Sequence, residues 1–194
     1  MEYLKERTFE VFRYILPGLL AMVGVLCLDS SINHPYDIVY KLKPITGTEI
    51  LFATIIGFVI GLVLDEANLV MINILKINRF KSNYESKNTL TIPEKYSLIR
   101  KYSIENFKYV EYWYIMKGMC QNIGLIFVFY FCISIFKTFQ GLNILSWIIC
   151  MIGSVVSIIG LYRRGVDYAR FARQELDSTI DILGLIEKSK KEIK

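Results

Sequence analysis

Two apolar stretches decide the fold of this chain: GMCQNIGLIFVFYFCISIF at residues 118–136 and GLNILSWIICMIGSVVSIIGLY at residues 141–162. Neither contains Asp, Glu, Lys or Arg, and each is close to the ~20 residues that an α-helix needs to cross a hydrocarbon core of ~30 Å. A helix satisfies every backbone hydrogen bond within its own segment, as lipid requires. Both stretches are therefore predicted to be transmembrane helices.

Two further apolar stretches precede them, at residues 14–28 and 50–64. They are shorter, but apolar neighbours extend both of them. The chain of 194 residues then has no room for a separate soluble domain of ordinary size. The expected fold is all-α, a single integral membrane four-helix bundle over residues 1–194 that is surrounded by the lipid bilayer. Its predicted spans are approximately residues 11–28, 50–72, 115–136 and 141–162.

The distribution of basic residues predicts the orientation. Twenty of the 23 Lys and Arg residues lie in residues 1–13, in residues 76–117 or after residue 162. Cytoplasmic segments carry the excess of Lys and Arg in membrane proteins. We therefore expect a protein of the cytoplasmic (inner) membrane with both termini cytoplasmic. Two cytoplasmic helical extensions, at 73–114 and 163–190, are expected to pack into one small bundle.

Local signals outside the spans predict further helices. The external loop has room for a short interfacial helix near residues 37–42. Pro93 and Glu94 mark a helix start, because proline is favoured at the first helical position. We expect that helix to break near Tyr102 and Ser103 before it continues into the third span. A loop rich in Ser, Asn and Lys is predicted at residues 81–91.

Small residues recur at steps of four in the second span and so share one helix face: Ala53, Gly57 and Gly61. Such faces let two helix backbones approach closely in lipid. The contact lies either within the protein or between copies of it. The fourth span offers a second small-residue face as a partner: Gly153, Ser157 and Gly160.

A polar layer is predicted at the depth of the inner leaflet. Asp65 follows Gly61 by four residues and lies on the same face, whereas Glu66 is turned by about 100°. Charged residues in a span usually face the bundle interior and pair, and we expect Asp65 to pair with Arg163 or Arg164. The layer is either a structural clamp or a gate on an ion path. Its other predicted members are Lys117 and Asn122.

The first span contains Pro17 and Gly18 one turn from its start. Proline inside a helix removes one backbone hydrogen bond and usually produces a kink. In a membrane helix such a kink is either an ordinary structural feature or the hinge of a gate. These two residues are therefore a candidate hinge.

Several function classes lack the residues that they need. The one histidine, His34, lies in the predicted external loop, and no Gly-rich phosphate loop is present outside the spans. The four cysteines fall within spans at spacings unlike those of metal ligands. We expect no enzyme activity, no cofactor and no metal. Direct nucleic-acid binding is disfavoured, because the positive-inside rule explains the basic segments.

Four local patterns occur in a fixed order along the chain. They are Pro17-Gly18, then Gly57 and Gly61 with Leu64-Asp65, then Tyr112-Trp113-Tyr114 with Lys117-Gly118, and finally Tyr162-Arg163-Arg164 with Tyr168-Ala169-Arg170. This order resembles the small four-helix membrane proteins that accompany prokaryotic antiviral systems, including type VI-B CRISPR loci. The resemblance implies a membrane effector or regulator in phage defence, with no catalytic residues.

The function that we expect is therefore a non-enzymatic membrane effector that forms homo-oligomers and perturbs or permeabilises the membrane. Residues 80–101 and 166–190 would face a cytoplasmic protein partner. Two alternatives remain open: a small ion channel or transporter subunit, and an adaptor that tethers a soluble partner to the membrane.

Overall fold

The computed structural model describes residues 2–74 and 89–192, and these residues contain helices, turns and short loops but no strand. This confirms the all-α class. The loop predicted at residues 81–91 and the continuation of the second span lie largely outside the described residues. The helices are α1 (Glu2–Leu26), α2 (Asp37–Leu42), α3 (Gly47–Ile74), α4 (Ile92–Tyr102), α5 (Ile104–Phe139), α6 (Ile144–Ile182) and α7 (Leu185–Glu192).

Three helical segments of the described chain are long and apolar enough to cross a membrane: Gly47–Met71, Ile104–Phe139 and Ile144–Ile182. They correspond to the second, third and fourth predicted spans. The apolar part of α1, Val11–Leu26, is shorter. The first span therefore stays a prediction, as does the side of the membrane on which the termini lie.

The local signals in the polar segments are confirmed. The short helix α2 lies at the predicted place in the loop. Thr91 caps α4, and the Glu94 side chain accepts hydrogen bonds from it in return, which forms a capping box. Ser103 has φ −150° and ψ 72°, outside the helical region. This residue separates α4 from α5 at the predicted break.

Close contacts define the directions of the four long helices. Gly18 of α1 faces Gly57 of α3, and Tyr14 of α1 faces Gly61, so α1 and α3 are antiparallel. Arg13 of α1 lies against Gly118 of α5, and Gly24 lies against Phe129 and Tyr130 further along α5, so α1 and α5 are parallel. Since α6 is antiparallel to α5, the helices alternate in direction along the chain.

A hydrophobic core lies where α5 begins and α6 ends. It also includes residues of α4 and α7, which confirms that the polar extensions of the third and fourth spans pack together. Lys95 of α4 donates a 2.5 Å hydrogen bond to Asp177 of α6 beside this core. We call it the α4–α7 core, formed by Ile99, Phe107, Val110, Ala172, Leu176, Ile180 and Leu185.

The opposite end of the molecule is closed by a buried lysine. Lys137 of α5 has no exposed surface, and its Nζ donates to the carbonyl oxygens of Asp29 at 2.8 Å and Ile32 at 3.2 Å. Trp147 of α6 donates from Nε1 to the carbonyl oxygen of Asn33 at 2.9 Å. These bonds fix the loop after α1 to both long helices.

Candidate functional site

The small-residue face of α3 packs against α1. A Cβ atom at Gly18 would overlap the carbonyl oxygen of Gly57, and one at Gly61 would overlap the carbonyl oxygen of Tyr14. The two backbones are therefore too close for any larger residue at these positions. The contact lies within the protein. Ala53, one turn before Gly57, is half-buried.

The expected partner face on α6 is not used by α3. A Cβ atom at Gly153 or Gly160 would have no heavy atom within 4 Å among the described residues. Gly153 and Ser157 instead line an apolar cavity of about 340 Å³ between α1, α2, α5 and α6. Within one copy of the protein, the prediction that this face of the fourth span receives the second span is wrong, because α3 packs on α1 and α5.

The candidate hinge lies at the tightest helix contact. Helix α1 continues through Pro17 without interruption, and the Pro17 side chain is fully buried. Gly18 meets the backbone of α3 directly. In this structure the small size of Gly18 serves close packing, and the hinge interpretation has no support from it.

The side chain of Asp65 pairs with Arg13. Nη2 of Arg13 donates to Oδ1 at 2.8 Å and to Oδ2 at 2.7 Å, and the side chains of the two residues are 22% and 13% exposed. The prediction that Asp65 pairs with Arg163 or Arg164 is therefore wrong. Both of those arginines are exposed on α6, which packs against α5.

Two amide side chains complete a polar network that joins three helices. Asn122 of α5 donates from Nδ2 to Oδ1 of Asp65 at 2.9 Å. Asn68 of α3 donates from Nδ2 to Oδ1 of Asn122 at 3.2 Å. Asn122 has no exposed surface and Asn68 is 4% exposed. We call Arg13, Asp65, Asn122 and Asn68 the clamp network.

Gly118 of α5 leaves the space that the Arg13 guanidinium occupies. A Cβ atom at this position would overlap the side chain of Arg13, so the arginine lies directly against the α5 backbone. Nε of Arg13 is buried and has no acceptor among the described residues. The charged end of Arg13 is thus held by one carboxylate and by the space that a glycine leaves.

The other predicted members of the polar layer lie around the network. Lys117 is half-buried, with its Nζ 5.9 Å from the ring centroid of Tyr114. Glu66, Arg163 and Arg164 are exposed and form no ion pair with another described residue. The structure therefore brings Asp65 and Asn122 together and leaves these three charges on outer surfaces.

Sequence reasoning missed one member of the network, Asn68, and one contact beside it, between Gly118 and Arg13. Asn68 lies three residues after Asp65, and residues at this spacing share a helix face. An amide within an apolar span was therefore a signal that could have been found. The contact between Gly118 and Arg13 had no such signal, since it depends on how α1 lies against α5.

The network consists of contacts between helices. A guanidinium, a carboxylate and two amides hold three helices at one depth, and the network contains no nucleophile with an adjacent base. No group of three or more metal-ligating side chains occurs in the part of the chain that the structure describes. Charges at this depth are costly unless they are paired.

Comparisons with models of protein families, with curated proteins and with solved structures find no match to this chain. The three long apolar helices indicate the class to which the protein belongs, an α-helical membrane protein.

Proposed function

We propose that this protein is a non-enzymatic multi-pass membrane effector that forms homo-oligomers and perturbs or permeabilises the cytoplasmic membrane. The clamp network carries the proposal, because it places a guanidinium and a carboxylate among apolar helices. Ionisable groups within membrane helices are usually functional. The setting in prokaryotic antiviral defence rests on the resemblance in the sequence.

The proposal includes α1 as a fourth span. Its backbone touches α3 at Gly18 and again at Tyr14, so the two helices lie side by side over at least one turn. Arg13 reaches the depth of Asp65, and α1 runs antiparallel to α3 from that point. With four spans, both termini lie on one side of the membrane, and the excess of basic residues supports the cytoplasmic side.

The network suggests how a resting protomer is kept closed. It joins α1, α3 and α5, whereas α6 contacts this group through α5. Movement of α3 away from α1 would separate Arg13 from Asp65. The two charges would then require water or new partners, and a hydrated path in an oligomer meets that requirement.

Membrane potential tests the proposal directly. A voltage-sensitive dye is followed in cells that express the protein, Gly61→Ala, Asp65→Asn or the matched control Gly153→Ala. We expect depolarisation by the wild type and by the control. Gly61→Ala and Asp65→Asn should increase it, because both loosen the contact between α1 and α3 that keeps the resting protomer closed.

The amount of each variant in the membrane fraction is measured in the same cells. An unchanged potential with the wild type fully inserted would contradict permeabilisation. Depolarisation by Asp65→Asn equal to that of the wild type would contradict a role for the clamp network. A sustained, ion-selective current without loss of viability would indicate a channel subunit in place of an effector.

The α4–α7 core favours a second candidate, a membrane-tethered adaptor. This core lies beyond the apolar parts of α5 and α6 and has its own ion pair between Lys95 and Asp177. An adaptor would present this region to a soluble partner. It predicts that Asp65→Asn changes nothing, whereas surface substitutions on α4 or α7 abolish the cellular phenotype.

A further inference from the structure

Two opposite charges lie exposed on the outer faces of α3 and α6. Glu66 lies within the apolar segment Gly47–Met71. Arg163 ends the uncharged stretch of α6. Neither forms an ion pair with another residue that the structure describes, although both are close to the level of the clamp network.

Helix geometry places both side chains away from α5. Glu66 lies two residues before Asn68, which bonds to α5, and two residues correspond to about 200° of rotation. Arg163 lies two residues from Leu161 and two from Gly165, both of which face α5. Each charge is therefore on the side of its helix opposite to the contact with α5.

The two charges also share a depth. Asp65, the neighbour of Glu66, bonds to Asn122 of α5. Gln121, the neighbour of Asn122, lies against Gly165 of α6. At 1.5 Å per residue these offsets place Glu66 and Arg163 within about one helical turn of each other along the bundle.

Glu66 lies in apolar surroundings, where its carboxylate requires a cationic partner. The residues one and two turns away on the same face, Val63 and Val59, are apolar and exposed. A long arginine side chain reaches the headgroups from such a position, whereas glutamate has a short stem. An unpaired carboxylate on a lipid-facing surface is costly, so a cation on an adjacent helix would stabilise it.

We infer that α3 of one copy packs against α6 of a second copy, with Glu66 facing Arg163 across the contact. This rests on the oligomer of the proposed function and names its two surfaces. Because the surfaces differ, the contact is heterologous and repeats from copy to copy, so it forms a ring where the rotation closes. In one membrane, α3 and α6 run in the same direction and pack in parallel.

Parallel packing predicts which positions meet. Val59 and Val156 lie seven residues before Glu66 and Arg163, respectively, and both are exposed. Seven residues return almost to the same helix face, about 10 Å further along the helix. Val59 should therefore face Val156 of the second copy and lie too far from its Arg163 to be cross-linked.

Cysteine cross-linking in native membranes tests the contact. Full-length copies with two different tags are co-expressed and treated with a thiol oxidant. Glu66→Cys with Arg163→Cys, and Val59→Cys with Val156→Cys, should give mixed-tag dimers. Val59→Cys with Arg163→Cys is the depth control, and unsubstituted copies measure the background from the native cysteines. Equal dimer from the control, or none from either matched pair, would overturn the inference.

Charge exchange then tests the ion pair, with cross-linking between Val59→Cys and Val156→Cys as the readout. Glu66→Arg or Arg163→Glu alone should lower the dimer yield about tenfold, which corresponds to about 1.4 kcal/mol of association free energy. The combined exchange should restore it. Arg164→Glu is the matched control, because Arg164 is also exposed but lies on another side of α6. Equal loss from this control would contradict the pairing.

The readouts separate the inference from the proposed function. Depolarisation without these cross-links would overturn the α3–α6 contact and leave the effector proposal in place. Cross-links without depolarisation would support the contact and contradict permeabilisation.

Discussion

Removal of the carboxylate of Asp65 should cost the protein much of its stability. Arg13 donates to both oxygens of this side chain, and Asp65→Leu would leave the guanidinium uncompensated. Removal of one partner from a buried ion pair costs roughly 3–5 kcal/mol. Arg13 keeps 22% exposure, which favours the lower end. We expect a loss of about 3 kcal/mol, or roughly a hundredfold in the folding equilibrium.

A double-mutant cycle isolates the interaction. Arg13→Met alone should also cost about 3 kcal/mol, because Asp65 then keeps only the donor of Asn122. The double variant leaves neither charge unpaired and should lose at most about 3 kcal/mol, in place of the roughly 6 kcal/mol of two independent changes. The free energy of unfolding is measured by circular dichroism on monomeric protein in mixed micelles.

Glu66→Leu is the matched control for the cycle. It removes the neighbouring carboxylate, which has no ion pair among the described residues of the protomer, so it should leave the stability of the monomeric protein unchanged or raise it. Additive losses in the cycle would refute the reasoning. So would a cost for Glu66→Leu equal to that of Asp65→Leu.

Two further predictions concern helix packing and helix capping. Gly18→Ala should lower the melting temperature in detergent, because its Cβ atom would overlap the carbonyl of Gly57, whereas Gly153→Ala should leave it unchanged or raise it. An equal decrease for both would contradict the close contact. Hydrogen bonds from Thr91 hold the pKa of Glu94 below its ordinary value, so the carboxylate stabilises α4 above the unfolded pKa of about 4.3, and this contribution is lost as the pH falls. Unfolding measured from pH 6 to pH 3 should therefore depend less on pH in Thr91→Ala than in the wild type, and identical profiles would contradict the capping box.

The spans were predictable because they depend on local properties. Uncharged length alone identifies the apolar parts of α5 and α6. Turn and cap chemistry placed Pro93 in the first turn of α4 and the helix break at Ser103. Each of these features depends on residues adjacent in sequence, so tertiary packing changes it little.

The partners in the candidate site were not predictable in the same way. The spacing from Gly61 correctly placed Asp65 on a packed face. Depth does not specify which helix lies beside that face. Arg13 bonds to Asp65 because α1 packs on α3 through Gly18. The sequence pattern indicated a hinge at this glycine and not a packing contact.

The direction in which Glu66 and Arg163 point was not predictable from the sequence either. The rotation of Glu66 and Arg163 away from α5 follows from the contacts of their neighbours Asn68 and Gly165. Periodicity gives the angle between residues of one helix. It does not give the direction in which the next helix lies. Glu66 and Arg163 were predicted to face the bundle interior, but both lie on outer faces.

The proposed function depends most on α1 as a membrane-crossing helix beside α3. Side-specific labelling in intact cells measures this directly, with an impermeant maleimide on Ser30→Cys and protease digestion of an N-terminal tag. We expect Ser30→Cys, in the exposed turn after α1, to be labelled from outside, and the tag to be digested only after permeabilisation. Labelling of Ser30→Cys and digestion of the tag from the same side would show that α1 does not cross, and would contradict the account.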